Sequence, residues 1–414
     1  MQEGASQPDS RMAWIAASAA LAILVIAHGA PMIAVVALKP IAAELGTSRA
    51  APSAAGSLTY VGAAVGGIAA GWLAGRWGAR TIVLFGGVML AAGLVVSSRG
   101  GLSELYWGHG LLMGLFGTSC MLSPLITYVS FWFVRHRGAA VALISSGQSI
   151  AGALWPLVFD WLISHAGWRW TMQVYAALAL VAVRLLSALV LRSPPAVAAP
   201  VAQAQANARA AKVVGLSPNV AMAALMAAVF CCCVPMNMPM QHIVAFCGDV
   251  GISSQHGAAM LSVLLGSAFL ARQFWGWMAD RYGGLRPLAW SSAAQLLALC
   301  GLTLTQNEAA LFAISSAFGF GLSGLLPAYV IAIRQHFPAD EAAWRVPTVL
   351  FAGYIGMATG GWLAGVMFDR FGFYLPAFAV GLVFNVVNLM ILLWLVTRER
   401  NDQQLVSAGV AAVA

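Results

Sequence analysis

Apolar residues fall along this chain in twelve long runs, at 14–38, 53–74, 81–98, 104–131, 139–163, 169–191, 218–246, 256–278, 287–305, 309–333, 346–368 and 372–396. Each is close to the ~20 residues that a helix needs to cross the hydrocarbon of a bilayer. Polar residues gather in short turns between the runs, with one exception. Residues 192–217, RSPPAVAAPVAQAQANARAAKVVGLS, are rich in Pro, Ala and Gln and read as a linker. It separates a six-helix bundle at 1–191 from a second at 218–414, which ends in a short polar tail. The predicted fold class is an all-α membrane protein with twelve transmembrane helices in two six-helix repeats.

Composition narrows the reading to a bilayer. The 414 residues are 61% hydrophobic and 8% charged, with a mean hydropathy of +0.84. Soluble domains carry roughly 25% charged residues, so this chain cannot cover a water-facing surface. The net charge of +8 would suggest nucleic acid in a soluble protein. Here it sets topology instead, because loops on the inner side of a membrane collect Lys and Arg. With the N terminus inside, fourteen Lys and Arg fall in inner segments, five in outer loops and two within spans. Both termini are therefore expected in the cytoplasm, with the chain a multi-pass protein of the inner membrane. The six cysteines show no metal-ligand spacing and lie mostly in apolar runs, where buried thiols are expected.

The two halves repeat. GWLAGRWG at 71–78 follows the second run, and GWMADRYG at 276–283 follows the eighth, 205 residues later. Phe159-Asp160 ends the fifth run and Phe368-Asp369 ends the eleventh. Parallel repeats about an axis along the membrane normal suit a transporter with its site between the halves.

The eighth run holds Arg272, eight residues before Asp280. At 1.5 Å per residue, that places the arginine about 12 Å up the helix, near the middle of a ~30 Å hydrocarbon layer. A guanidinium there costs at least ~2.5 kcal/mol on insertion scales. It needs a wet cavity, an anion or a buried acid. The runs supply no acid at mid-membrane, since Asp160 and Asp369 sit near helix ends. The planar fork of Arg272 matches a carboxylate with two hydrogen bonds, which makes it the leading substrate contact. Arg184 lies close to the inner end of its run, where its head can snorkel to the interface.

Two corresponding runs are interrupted, the first by IAHGAPM at 26–32 and the seventh by CCCVPMNMPMQH at 231–242. Paired Pro/Gly interruptions point to a transport site. His28 can change charge near neutral pH and could carry a proton, or could be a neutral ring bonded to a neighbouring helix. Asn237 and Gln241 are one turn apart and share a face. Tyr329 and Tyr354 could present hydroxyls to a cavity or could serve packing. His109 and His242 fall nearer the outer ends and are not counted in the site.

The repeated turn resembles the loop motif of the major facilitator superfamily, Gly-x-Leu-x-Asp-Arg-x-Gly-x-(Arg/Lys). The second copy keeps Asp280, Arg281 and Gly283, while the first has Gly75 where the family has aspartate. The family uses this loop to lock its inner gate, which implies gating roles for Asp280, Arg281 and Arg76 and a looser first lock. Arg135 and Arg334, at the ends of the fourth and tenth runs, stand where gate arginines are expected. Each of these arginines could instead merely anchor topology.

A narrower resemblance lies in WFVRHRGAAVALISSGQSIAG at 132–152 and ELGTSRAAPS at 44–53. Both are similar to bacterial monocarboxylate transporters, which share a span-8 arginine with the oxalate/formate antiporters. The departures concern coupling. Ala268 stands where animal monocarboxylate carriers have aspartate, and Met32 where they have lysine. Gly353 stands where the oxalate/formate type has lysine. One fixed cation implies a monocarboxylate over a dicarboxylate.

The expected function is secondary active transport of a small monocarboxylate with a proton, by a carrier acting as a monomer. The alternative is an exporter or antiporter of other organic anions or drugs. A transporter-like sensor is a further class, though the tail 397–414 is too short for a signalling domain. No nucleotide loop, metal cluster or catalytic triad is evident, so neither an enzyme nor a cofactor is expected.

Overall fold

A computed structural model describes residues 9–191 and 213–411. Most of the expected linker, at 192–212, lies outside the described residues. Eleven helical segments are long and apolar enough to cross a membrane, and the 51-residue segment Ala139–Leu189 holds two passes. Gly167, with φ 80° and ψ 163°, turns the chain between them. That left-handed conformation suits a residue without a Cβ. The twelve passes are α1 (Arg11–Val36), α2 (Ala50–Trp77), α3 (Ala79–Arg99), α4 (Leu102–Ser130), α5 and α6 (139–166 and 168–189), α7 (Pro218–Asp249), α8 (Ser254–Tyr282), α9 (Leu285–Leu304), α10 (Glu308–His336), α11 (Trp344–Phe371) and α12 (Leu375–Asp402).

Helices are the only open-chain answer to a solvent without water, because every backbone donor must find its acceptor within the segment. The starts carry side-chain caps where the sequence allows. Ser10, Ser253 and Asn307 accept from backbone N–H groups three residues on, at 3.1–3.3 Å. Just before α1, the Asp9 carboxylate accepts the backbone N–H groups of Arg135, His136 and Val134 at 2.9, 3.0 and 3.2 Å. These bonds, that of Arg135 first, hold its carboxyl down to about 2.

Two large hydrophobic cores form, one mainly from α1–α6 and one mainly from α7–α12 that also takes in Val35 and Leu38, beside a small cluster of Ala70, Ile82 and Cys120. The halves meet where α2 crosses α11 and where α5 crosses α8. Some boundaries differ from the apolar runs. Helix continues from α12 to Ala411, beyond the expected start of the tail. His336 Nε2 lies 3.1 Å from the Glu399 carboxylate and ties that extension to the end of α10. In α4, residues Trp107–Thr118 are π-helical.

Gly152 lets α5 and α8 approach, since a Cβ there would lie 2.8 Å from the Leu265 Cβ. Gly152→Val should cost about 1–3 kcal/mol through overpacking. Thermal unfolding in detergent should fall accordingly. Gly276→Ala, a control facing open space, should leave it unchanged. Equal stability of both variants would show that this crossing is not close-packed.

Candidate functional site

Between the halves lies a cavity of about 360 Å³. From the first half it is lined by His28, Met32 and Val35 of α1, Thr59 and Tyr60 of α2, Ser119 and Ser123 of α4, and Gln148 of α5. The second half contributes Gln241 of α7 and Pro347, Phe351 and Tyr354 of α11. Its walls are apolar with scattered neutral polar groups. Among the described residues, no Asp, Glu, Lys or Arg lines it.

Pro31 breaks α1 into Arg11–Gly29 and Met32–Val36. Proline has no N–H, so the Ala27 carbonyl four residues earlier loses its helical partner, and side chains of the same half bond to the carbonyls just before it. Trp155 Nε1 donates to Val25 O at 3.1 Å and the Tyr175 hydroxyl to Ile26 O at 2.9 Å. The His28 Nδ1 lies 2.9 Å from Leu24 O. A carbonyl only accepts, so the hydrogen sits on Nδ1, and Nε2 of the neutral ring is left as an acceptor.

His28, Gln241 and Tyr354 thus share one cavity. The ring of Tyr354 sits 6.3 Å from that of Tyr60, between centroids. Tyr60 and Gln148 line the cavity too but are missed by the sequence reading, because spacing along a run does not tell which tyrosine or glutamine faces a cavity. The cavity lining does not include Asn237, Tyr329 or Arg272. Asn237 is fully buried and donates to Met357 O at 2.7 Å. Tyr329 is fully buried and donates to Asn388 Oδ1 at 3.1 Å.

Arg272 reaches across to α5. Its Nη1 donates to Ser145 O at 2.8 Å and its Nη2 to Ser149 Oγ at 3.3 Å. Ser145 O is available because helix stops there and restarts at Gly147. Between the two serines, Gln148 lines the cavity. Among the described residues no acid pairs with Arg272, and its Nε is buried without a hydrogen-bond partner. The charge is solvated by one carbonyl and one hydroxyl and retains an unused donor.

The two ends of the molecule differ. At the end far from the termini, polar bonds join the halves. Arg49 grips Asp249 with both Nη atoms, Nη2 at 2.7 Å. Lys39 Nζ adds a contact to Asp249 at 3.0 Å. The Asp369 carboxylate accepts the backbone N–H groups of Arg49 and Ala50, each at 2.8 Å, and so caps α2 from the other half. The Arg49 guanidinium also lies 3.6 Å above the Phe368 ring and donates to the Tyr374 hydroxyl at 3.1 Å. Tyr374 in turn lies 3.0 Å from His242 Nδ1, and His242 Nε2 lies 2.8 Å from Gly361 O.

At the end that carries the termini, Arg76, Arg135, Asp280, Arg281 and Arg334 are exposed. Arg76 rests 3.9 Å over the Trp72 ring, and Arg281 lies 5.9 Å from the Trp277 and Tyr282 rings. Among the described residues no ion pair joins these five groups across the halves.

The Major Facilitator Superfamily model matches residues 19–305 and 225–411. Monocarboxylate transporter 13 of Bos taurus is 27% identical over 332 residues, covering 78% of this chain and 75% of that protein. The agnestins efflux protein AgnL12 of Paecilomyces divaricatus is 24% identical over 324 residues, 78% of this chain and 73% of that one. Among solved structures, peptide transporter POT in complex with sulfate has a TM-score of 0.71 at 16% identity, covering 96% of this chain and 97% of the other. A bacterial homologue of the human lysosomal transporter Spinster, inward-facing and occupied, has a TM-score of 0.64 at 16% identity, covering 93% and 94%. At those identities the structures speak to the fold alone.

Arg49→Ala removes the side chain that holds Asp249, Phe368 and Tyr374 together. The far end should then open more often, and spin labels placed across it should show a longer-distance population. A distribution identical to that of the unsubstituted chain would mean that the crossing helices alone hold this end shut.

Proposed function

The chain belongs to the major facilitator superfamily, and within it we propose that this multi-pass membrane carrier moves a small monocarboxylate by alternating access, with Arg272 as the carboxylate receptor. Family membership makes it a transporter rather than an enzyme. The relative named a monocarboxylate transporter supports the substrate class. The observation that carries the reading is the unpaired guanidinium of Arg272, held by Ser145 O and Ser149 Oγ with Nε unused.

A carboxylate offers Arg272 two charged acceptors in place of one neutral carbonyl. Such bidentate pairs are shorter and about twice as strong as neutral hydrogen bonds. Substrate would therefore compete with Ser145 for the same side chain. That contact joins α8 to α5, so loading exchanges a bond between the halves for a bond to cargo. Once the Arg272 side chain turns from Ser145 and Ser149 toward the cavity that Gln148 lines between them, the substrate's apolar part would meet Val35, Pro347 and Phe351, while His28, Gln241 and Tyr354 would offer neutral hydrogen bonds.

The far end is bonded across the halves, and among the described residues no ion pair joins them at the terminal end, which supports reading the cavity as that of a state open toward the termini. The Lys and Arg distribution supports termini in the cytoplasm of an inner membrane, which makes this the inward-open state. Asp280, Arg281, Arg76, Arg135 and Arg334 would then close the opposite gate. The carrier works as a monomer, its six-helix halves at 1–191 and 218–414 joined by the linker at 192–217. One proton per monocarboxylate makes the cycle electroneutral, which matters because each uncompensated charge is worth ~2.3 kcal/mol per 100 mV. The efflux relative favours a second reading, in which the same site exports larger organic anions.

Arg272→Lys keeps the charge and loses the fork. Loss of ~1.5–3 kcal/mol of charge-assisted bonding should weaken carboxylate uptake by roughly 10- to 100-fold while the protein still folds. Arg272→Ala should abolish uptake into proteoliposomes. Normal carboxylate transport by Arg272→Ala would remove this residue from the site.

A further inference from the structure

The geometry points to His242 as a proton-binding site that governs the far-end lock. This inference rests on the alternating-access reading above but not on the identity of the substrate. Gln241 lines the cavity, and its neighbour His242 is wholly buried. Consecutive residues of α7 thus face cargo and lock.

The hydrogen-bond directions around His242 are fixed by its partners. Gly361 O can only accept, so Nε2 carries a hydrogen and donates across 2.8 Å. In the neutral ring Nδ1 is then an acceptor, and the Tyr374 hydroxyl must donate to it across 3.0 Å. The Tyr374 oxygen is left free to accept, which it does from Arg49 Nη1 at 3.1 Å. The chain continues from Arg49 to Asp249. Every donor meets an acceptor only while His242 is neutral.

Protonation reverses one link. Nδ1 gains a hydrogen, and both Nδ1–H and Arg49 N–H now point at the same phenol oxygen, whose own hydrogen loses its acceptor. An imidazolium and a guanidinium then face each other across one hydroxyl. The charged groups around the ring come from several elements. Arg49 stands at the start of α2, Lys39 follows α1, Asp249 ends α7 and Asp369 ends α11. The two carboxylates are already committed, Asp249 to Arg49 and Lys39, and Asp369 to the backbone of Arg49 and Ala50. From α8 and α10, His256 and Glu308 pair with each other at the exposed rim. Among these described groups no carboxylate is bonded to the ring of His242 to accept a second imidazole hydrogen.

A proton on His242 therefore removes the Tyr374 contact from Arg49, weakens the lock that Asp249 and Phe368 still hold, and favours opening of the far end. Its release restores the bonds seen here and the closed far end. The inward-open state is the deprotonated state of this histidine, and a proton taken from the far side accompanies each outward opening.

The test measures the far end without substrate. Spin labels at Ser48→Cys and Gln255→Cys, both exposed and on opposite halves, report its width by pulsed electron resonance. The unsubstituted chain supplies the labelling background of the native cysteines. In the otherwise native protein, the long-distance population should rise at least about threefold as the pH falls from ~7.5 to ~4, a range that covers imidazoles in folded proteins and the tails of their distribution. His242→Gln cannot take the proton and should show one distribution at both pH values. Tyr374→Phe cuts the link while keeping the ring, and should raise the open population already at pH ~7.5. A pH response that persists in His242→Gln, vanishes in His28→Ala instead, or is absent from the otherwise native protein overturns the proposal. Failure of the monocarboxylate reading would appear separately, as absent carboxylate uptake with this pH response intact.

Discussion

Moving a guanidinium into hydrocarbon costs at least ~2.5 kcal/mol, and Arg272 offsets that cost with a carbonyl and a hydroxyl and, among the described residues, no acid. Much of the arrangement around it follows from this constraint. The carbonyl must be free, so α5 stops at Ser145 and restarts at Gly147. The helix that supplies it belongs to the other half, so the charge also binds the halves together. A paired acid would have quenched the charge and left nothing for an anionic ligand. The incomplete solvation leaves Arg272 Nε without a partner, and under the proposed reading that unused donor is what an anionic ligand would meet.

The far end solves a different problem. Its charges lie where water reaches part of each group, with side-chain exposures of 14% for Arg49 and 24% for Asp249. Exposed single ion pairs contribute little, of order 0–1 kcal/mol. This one gains weight because Arg49 is shared among a carboxylate, a phenol and an aromatic face, while Asp369 caps the same helix start. Such a lock can hold one end shut and still yield to a change at any partner. A gate needs that modest stability, since a carrier must leave each state at every turn.

The fold was legible because lipid permits few alternatives. Twelve apolar runs and one long polar stretch dictate the passes, and Gly167 marks the turn hidden inside the 51-residue segment. The π-helical stretch of α4 and the extension of α12 to Ala411 were not legible. The first changes backbone bonding without changing hydropathy. The second is a polar helix tied by His336 to Glu399, a contact 63 residues apart in sequence. The site was legible in part. His28 and Gln241 face the cavity, as their interrupted helices suggest, and Tyr354 joins them from α11. A polar residue in a span must bond to something, but its spacing does not say to what. Asn237 and Tyr329 bond inward to Met357 O and Asn388. Lys39, Arg49, Asp249 and Asp369 look like ordinary loop charges, and no local pattern joins positions 200 or 320 residues apart.

The central claim is that an unpaired guanidinium receives one carboxylate. It is tested most directly by calorimetric titration of the purified carrier with a small monocarboxylic acid and with its primary amide, which matches it in shape and lacks the charge. Replacing a charge-assisted bidentate pair with a neutral contact should raise Kd at least about tenfold for the amide. Equal affinity for acid and amide would contradict the account, because the site would then recognise shape and not charge.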